Sequence, residues 1–472
     1  MEQDRNDPPA LVRFGQFLMR PRVRAVLAWA AICIVAVLFF YYAWTGYDRP
    51  NHPEGNIGHV YIDFSGQWLM GRMLARGEGR FLYNKAHLGQ AIQDAYQPHD
   101  AEMIDSWLIE EEGTGVGGPL YPPIHAFLFY PLGLMQPQPA YRLIQCLNFL
   151  LTFVIGFLAR KLTRGRLWAS VAVGVLLGFP GYGGAISLGQ NSLLSLALLL
   201  LGWLLMDRGR PWLGGAVWGL LAFKPVWAVS FFLVPLLMRR WRVCAAMALT
   251  GLALVLLTLP FVGWHTWLDW LAVGRIASAH YTTDETWIFL SRDLQGVPRR
   301  YLLHFIDGIA TDENRLLVNR LGLGLWLTVA ALTVLIALWR WRRPAGVSGT
   351  PGAFLLLGAW LSCFHFMYYD VLLAVLPVYL LLDDNFGASR GRKPPEFHAV
   401  AGTISGGLRP RLALLALLFL VPHTADGIDY LVTNGKPIFH SPPFDTFCLL
   451  ALWAWCGWQW LRHPINPTAV AG

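Results

Sequence analysis

The amino-acid sequence predicts an all-α, polytopic membrane protein with about twelve transmembrane helices. Of its 472 residues, 55% are hydrophobic and only 14% are charged. Apolar runs such as 24–44, 243–262 and 321–339 each have about the 20 residues that a helix needs to cross the hydrocarbon of a bilayer. The repetition of these runs favours a membrane protein over a large soluble core, which charged faces would interrupt.

The distribution of charge supports the same interpretation. The formal net charge is +8, but the basic residues fall in short clusters between the apolar runs. This spacing is typical of the positive-inside bias of membrane proteins and differs from the continuous basic surface that nucleic acid requires. The six cysteines include no Cys-x-x-Cys pair, so we interpret them as small hydrophobic residues.

The basic clusters also predict the topology. Arg13, Arg20, Arg22 and Arg24 precede the first apolar run, which places the N-terminus in the cytoplasm and predicts an uncleaved first helix. The expected spans are 25–44, 140–159, 167–182, 191–206, 212–223, 226–238, 243–262, 316–339, 354–367, 371–382, 411–421 and 447–460. Both termini are then cytoplasmic, and residues 1–472 form a single integral domain of the inner (plasma) membrane.

Three segments outside this scheme complete the prediction. Residues 46–120 form a first non-cytoplasmic loop with amphipathic helices, and residues 264–315 form a second. The proline-interrupted segment 121–135 is predicted to be re-entrant or interfacial. If it spanned the bilayer, the basic clusters that follow it would move to the wrong side.

The topology brings a short set of polar residues to one membrane level, on the outer side. They are Asp63, Gln190, Asn191, Lys224, His365, Tyr368, Tyr369 and Asp370. We therefore expect an active or binding site that faces the outside or periplasm, built from distant parts of the chain.

Each of these residues also has a purely structural interpretation. Asp63, at the start of a predicted amphipathic helix, is either a functional carboxylate or an N-cap. Lys224 either extends to the membrane surface or provides a fixed cation beside a phosphate, and Pro225 breaks the helix next to it. Gln190 and Asn191 can bind sugar hydroxyl groups or cap a helix.

The remaining candidates are less distinctive. His365 near a helix end is either structural or part of the site. The second outer loop carries Arg275, Arg292, Arg299 and Arg300, which are either phosphate contacts or ordinary surface charges. No metal-ligand motif and no nucleotide-binding loop is present in the sequence, so no metal site is predicted and an ATP-driven transporter is disfavoured.

Taken in order, these residues resemble glycosyltransferase family 87, whose members have the membrane-embedded GT-C fold. The resemblance covers roughly residues 63–382 and depends on several short motifs. They are Asp63-Phe64, the sequence GRMLARG at 71–77, Leu82-Tyr83, Tyr121-Pro122-Pro123, Gly189-Gln190-Asn191, Lys224-Pro225, and His365 with Tyr369-Asp370. The acidic stretch 94–118 has no counterpart in this pattern and leaves the acceptor open.

The resemblance implies an inverting transfer of a hexose, often mannose, from a polyprenyl-phosphate donor to a glycan or lipid of the cell envelope. It implies Asp63 as the general base and no cofactor besides the lipid-linked sugar donor, which is a substrate; whether a metal assists stays open. Positive charge beside the leaving phosphate would come from Lys224, Arg275 and Arg292. The implied substrate-binding residues are Tyr121, Gln190, Asn191, His365, Tyr369 and Asp370.

A secondary transporter of an envelope solute or lipid-linked intermediate is the main alternative. Transporters typically contain paired halves with broken helices at the bilayer midplane. In this sequence the polar residues lie at span ends beside large outer loops, and no matched halves are evident. A non-catalytic flippase or scaffold subunit is a third possibility.

Overall fold

The protein is almost entirely helical. A computed structural model describes residues 20–111, 113–311, 313–340, 349–390 and 443–462. Its helices are α1 (Pro21–Thr45), α2 (Ile62–Ala75), α3 (Lys85–Gln93), α4 (Pro98–Trp107), α5 (Pro123–Gly133), α6 (Pro137–Leu162), α7 (Ala169–Leu177), α8 (Tyr182–Ser187), α9 (Ser192–Asp207), α10 (Pro211–Gly219), α11 (Pro225–Leu237), α12 (Trp241–Thr283), α13 (Glu285–Leu290), α14 (Gly296–Leu302), α15 (Arg315–Trp339), α16 (Gly349–Leu361), α17 (Val375–Arg390) and α18 (Phe444–Arg462).

Strands contribute little to the described structure. Strand β1 (Ile109–Glu110) pairs antiparallel with β2 (Gly117–Gly118), and β3 (Phe305–Ile306) pairs antiparallel with β4 (Ile309–Ala310). Both two-stranded ribbons lie in the predicted outer loops. The prediction of an all-α architecture is therefore confirmed.

Within the described residues, four helices are long and apolar enough to cross a membrane. They are α1, α6, α12 and α15, and shorter apolar helices occur at 192–207, 211–223, 225–237 and 349–361. These lengths and compositions are those of a membrane protein. The number of twelve spans stays a prediction, and the expected span 411–421 lies outside the described residues.

Helix α12 differs most from the predicted boundaries. The sequence predicts a span that ends at residue 262, followed by an outer loop, but helical structure continues to Thr283 beyond a break at Gly263. Gly263 has φ 78° and ψ 170°, a conformation that glycine adopts without a side-chain penalty. The second half of α12 therefore changes direction and carries Arg275 and Tyr281.

Helix α2 is buried within the protein and does not lie on its surface. The buried residues form a continuous stretch from Phe64 to Gly71 and also include Met73. A helix at a membrane surface would expose one polar face, so the expectation of an amphipathic helix over this segment is wrong. Helix α2 packs closely against α5, the segment predicted to be re-entrant, and this contact fixes the position of the first turn of α2.

The crossing of α2 and α5 depends on two glycines. A Cβ atom at Gly71 would lie 2.1 Å from the Phe129 carbonyl oxygen, and a Cβ atom at Gly133 would lie 2.2 Å from the Gly71 carbonyl carbon. Both contacts are with main-chain atoms, which cannot move aside as a flexible side chain can. The two helix backbones therefore touch, and no larger residue fits between them.

We expect Gly71→Ala to lower the thermal stability of the purified protein, because the added methyl group forces α2 and α5 apart. Overpacking of this kind typically costs about 1–3 kcal/mol. Thermal unfolding in detergent measures the change. Gly274→Ala is the matched control, because a Cβ atom there meets nothing within 4 Å. Equal unfolding temperatures for the two variants would contradict the close contact.

Candidate active site

The carboxylate of Asp63 lies in the first turn of α2, where it accepts a hydrogen bond from another part of the chain. The N-cap position of α2 is Tyr61, and no side chain caps the helix. The Asp63 Oδ1 atom instead accepts a hydrogen bond from Gln190 Nε2 at 2.6 Å. The N-cap interpretation of Asp63 is therefore wrong, and the half-buried carboxylate faces the start of α9.

Gln190 belongs to a tight turn that brings two amide side chains next to Asp63. Gly189 has φ +60°, and a Cβ atom there would lie 2.9 Å from Ile144 Cγ2, so the turn requires glycine. Gln67, one turn after Asp63 in α2, supports this turn. Its Nε2 donates to the Gly189 carbonyl at 3.2 Å, and its Oε1 accepts from Asn191 Nδ2 at 2.8 Å.

The side chains of Gln190 and Asn191 each retain an unused acceptor atom. Asn191 is the N-cap residue of α9 but makes no side-chain cap hydrogen bond, so capping does not explain it. Gln190 Oε1 and Asn191 Oδ1 are both buried and have no hydrogen-bond partner. Buried acceptors of this kind normally find a partner, and hydroxyl groups of a bound sugar are suitable donors.

Lys224 provides a buried cation in the same region. It has φ −124° and ψ 81° and separates the 3-10 turn Leu220–Phe223 from α11, so the break expected before Pro225 is present. Its Nζ atom donates to Asp370 Oδ1 at 2.8 Å, and Ser192 Oγ donates to the same oxygen at 2.6 Å. Lys224 is 8% exposed, so it does not extend to the membrane surface.

Tyr369 links the carboxylate to the lysine. Its hydroxyl group acts to lower the pKa of Asp63, and the Lys224 Nζ atom lies 5.6 Å from the centroid of its ring. On the other side of Asp63, the Tyr121 hydroxyl lies 3.4 Å from Gln190 Nε2. Six sequence-predicted residues therefore lie close together beside Asn191, and we call them the Asp63 cluster: Asp63, Tyr121, Gln190, Lys224, Tyr369 and Asp370.

The electrostatics of the Asp63 cluster suit a basic carboxylate. Burial raises the pKa of Asp63 above its usual range, and the hydrogen bonds from Tyr369 and Gln190 and the charge of Lys224 offset only part of this effect. A carboxylate with a raised pKa binds a proton more readily. Perturbed groups of this kind are concentrated at functional sites.

The other three predicted site residues, His365, Arg292 and Arg275, have ion-pair partners outside the Asp63 cluster. His365 Nδ1 is 2.8 Å from Asp293 Oδ2. Arg292 pairs with Asp445 at 3.2 Å, and Arg275 pairs with Glu111 on an exposed surface at 2.7 Å. Within the described residues, neither arginine hydrogen-bonds to the Asp63 cluster. Arg292 is the nearer of the two, since both it and Asp63 contribute to the electrostatic environment of Tyr368.

Sequence reasoning missed four residues around the site. Gln67 and Ser192 hold the Asp63 cluster together, and Asp293 holds His365. The fourth is His125, which is fully buried, lies near Lys224 and stacks on Tyr121 with ring centroids 4.2 Å apart. Gln67 and His125 are polar residues within apolar helical segments, and that signal was available in the sequence.

Fold and site together define a class: a helical membrane protein with a buried acid, amide and lysine cluster at the ends of its helices. The model of glycosyltransferase family 87 matches residues 120–374, more than half of the chain. The chain therefore belongs to glycosyltransferase family 87 and is a glycosyltransferase. The match contains Tyr121, Gln190, Lys224 and Asp370 and begins after Asp63. Comparisons with curated proteins and with solved structures give no match.

Proposed function

We propose that this glycosyltransferase moves a hexose, mannose in the first instance, from a polyprenyl-phosphate donor to a glycan or lipid acceptor of the cell envelope. The active site faces the outside or periplasm, and the donor is the only group required besides the acceptor. One observation carries the proposal: the Asp63 carboxylate, which accepts a hydrogen bond from Gln190, and the Lys224 ammonium group both interact with Tyr369. A base and a cation are thus held near one another around one tyrosine.

The chemistry follows from these two groups. The acceptor hydroxyl oxygen attacks the anomeric carbon and inverts it, while Asp63 takes the hydroxyl proton. The bond between the anomeric carbon and the phosphate oxygen breaks, and its electron pair stays on the phosphate. A phosphate monoester is a weak base, so this leaving group needs nearby positive charge and no proton donor. Lys224 has three N–H donors and uses one for Asp370, which leaves donors for the phosphate.

The remaining residues orient the substrates. The free acceptor atoms of Gln190 and Asn191 receive hydroxyl groups of a sugar, and Tyr121 and Tyr369 border the space beside Asp63. We retain Arg292 as a second phosphate contact because of its position near Tyr368. Arg275 would first have to leave Glu111, so its contribution to phosphate binding is proposed only for a rearranged complex.

Incubation of the purified protein with a radiolabelled polyprenyl-phosphate mannose and a membrane lipid extract tests the proposal. We expect a labelled product whose new glycosidic bond has the inverted configuration. A parallel incubation with polyprenyl-phosphate glucose tests the choice of sugar. Solute uptake by reconstituted vesicles, without transfer to any acceptor, would overturn the proposal in favour of a transporter.

The rate of sugar transfer should depend on pH through Asp63. The base must be ionised, so the rate falls as the pH drops through the pKa of this carboxyl. Because burial raises that pKa, the fall should occur at a higher pH than for an ordinary carboxyl, whose pKa is about 4. A profile of kcat/KM against pH measures this, and thermal unfolding at each pH controls for loss of fold. An acid limb near pH 4 would contradict the raised pKa.

A further inference from the structure

Asp293 is a buried carboxylate outside the Asp63 cluster, and it is surrounded by donors. It is 2% exposed and lies between α13 and α14. Its Oδ1 accepts the Gly296 N–H at 2.8 Å, and its Oδ2 accepts the Ser291 hydroxyl and is 2.8 Å from His365 Nδ1. Burial acts to raise the pKa of Asp293, but the hydrogen bonds from His365, Ser291 and Gly296 act in the opposite direction, and the net effect lowers the pKa.

An ionised carboxylate fixes the orientation of the proton on His365. Because a carboxylate only accepts hydrogen bonds, the Nδ1 atom of His365 must carry the proton. In the neutral ring, Nε2 is then an acceptor. His365 Nε2 is buried and has no hydrogen-bond partner, and the ring stacks on Tyr281 with centroids 3.4 Å apart. The ring is therefore held on one face and at one nitrogen, while the other nitrogen is unused.

This pair lies within electrostatic range of residues that also feel the Asp63 cluster. Tyr281 contributes to the electrostatic environment of Tyr121, whose hydroxyl group contacts Gln190. Asp293 and Asp370 both contribute to the environment of Cys363, two residues before His365. The region matched by the family model also includes both Asp293 and His365. We take the free Nε2 atom to face the proposed substrates, and the variants below test this placement.

We propose that Asp293 is a positioning residue for sugar transfer: it holds the His365 proton on Nδ1, so that Nε2 accepts a hydrogen bond from a substrate hydroxyl group. The inference depends on the proposed function, because that function supplies the hydroxyl group. The hydroxyl belongs either to the sugar of the donor or to the acceptor, and the assay below distinguishes the two.

The variant Asp293→Asn reverses this hydrogen bond with little change in shape. The Gly296 N–H must still meet an oxygen, so the amide NH₂ group points toward Ser291 and His365. His365 Nδ1 then has to accept, and the proton moves to Nε2, which becomes a donor. Besides Asp293, the ionisable groups around the pair are Tyr281 against the ring, and Arg299, Arg300 and Cys363 within electrostatic range of Asp293.

The decisive measurement compares Asp293→Asn in the native chain and in a His365→Ala background, with a polyprenyl-phosphate mannose as the donor. In the native chain we expect kcat for transfer to a membrane lipid extract to fall by about 10-fold or more, the effect of losing one buried hydrogen bond. In the His365→Ala background the same change should have no further effect, because Asp293 acts only through His365. A merely structural role would lower activity in both backgrounds.

A second assay identifies the hydroxyl group. Release of mannose from the donor to water needs no acceptor. If Asp293→Asn slows both transfer and this release, the hydroxyl belongs to the donor; if it slows transfer alone, the hydroxyl belongs to the acceptor. Asp207→Asn, which removes a carboxylate paired with exposed Arg164 at 3.7 Å, is the matched control and should leave both rates unchanged.

The variant His365→Asn keeps the inference testable if Asp293→Asn fails to fold. Its amide can still donate to Asp293 but it has no atom at the Nε2 position, so transfer should fall by a similar factor in a protein of normal stability. Full transfer by His365→Asn or Asp293→Asn, or an equal loss in both backgrounds, would overturn the positioning role alone. A native protein that transfers no sugar would overturn this role together with the proposed function.

Discussion

Asp63→Asn should abolish sugar transfer and leave the protein folded. A general base typically contributes about 10²–10⁴-fold to the rate, and we expect a loss of kcat within or beyond that range. The amide oxygen of asparagine can still accept the hydrogen bond from Gln190, so the geometry of the cluster is kept while the base is lost. Transfer of labelled mannose by the purified variant measures the effect.

The same substitution should not lower thermal stability at neutral pH. The pKa of Asp63 is raised in the folded state, so its carboxyl stabilises the fold below the unfolded-state pKa. This contribution is lost as the pH rises through the folded-state pKa. Asparagine resembles the neutral form of the Asp63 carboxyl, so the variant should unfold at pH 7 at a temperature equal to or higher than that of the native protein. Asp207→Asn again serves as the control, and retained transfer by Asp63→Asn would remove residue 63 from the role of base.

Much of the site could be predicted because the topology limits where polar residues can lie. If the basic clusters mark the cytoplasmic side, the predicted spans place Asp63, Gln190 and Lys224 together at outer helix ends. Their separation of more than 160 residues in the chain does not matter for this argument, since helices of similar length end at similar depths. In the structure Gln190 Nε2 donates to Asp63, and Lys224 Nζ lies 5.6 Å from the ring centroid of Tyr369, whose hydroxyl group acts on the pKa of Asp63.

The pairing of charges could not be predicted in the same way. Topology gives the depth of a residue but not its neighbour at that depth. Asp370 pairs with Lys224 and Asp293 with His365, and the second pair spans 72 residues of sequence. Nothing in the sequence distinguishes these partners from the other outer carboxylates. Arg275 gives a similar case, because its position in the predicted outer loop suggested a phosphate contact but gave no sign of its ion pair with Glu111.

The helix boundaries were less predictable than the helices themselves. Apolar runs indicate where a chain avoids water, but a helix surrounded by other helices can be apolar without crossing the bilayer. The buried α2 and the short helices from α9 to α11 illustrate this ambiguity. The break at Gly263 gave no hydropathy signal, because the conformation of one glycine decides it.

Lys224→Ala should have two effects that can be separated. It removes the cation proposed to stabilise the leaving phosphate, and loss of one such contact typically lowers kcat by about 10²–10³-fold. It also leaves Asp370 buried and, among the described residues, with only Ser192 Oγ as a side-chain donor. An unpaired buried charge typically costs about 3–5 kcal/mol, so the unfolding temperature should also fall.

The double variant Lys224→Ala, Asp370→Asn separates the two effects. Neutralising residue 370 removes the unpaired charge, so thermal stability should return toward that of the native protein, since removing both members of a buried ion pair costs far less than removing one. Sugar transfer should remain lost, because the phosphate still has no cation beside it. Lys85→Ala, which removes a cation paired with Asp105 at 3.1 Å in the outer segment, should retain transfer. Recovery of transfer along with stability in the double variant would mean that Lys224 serves only to neutralise Asp370.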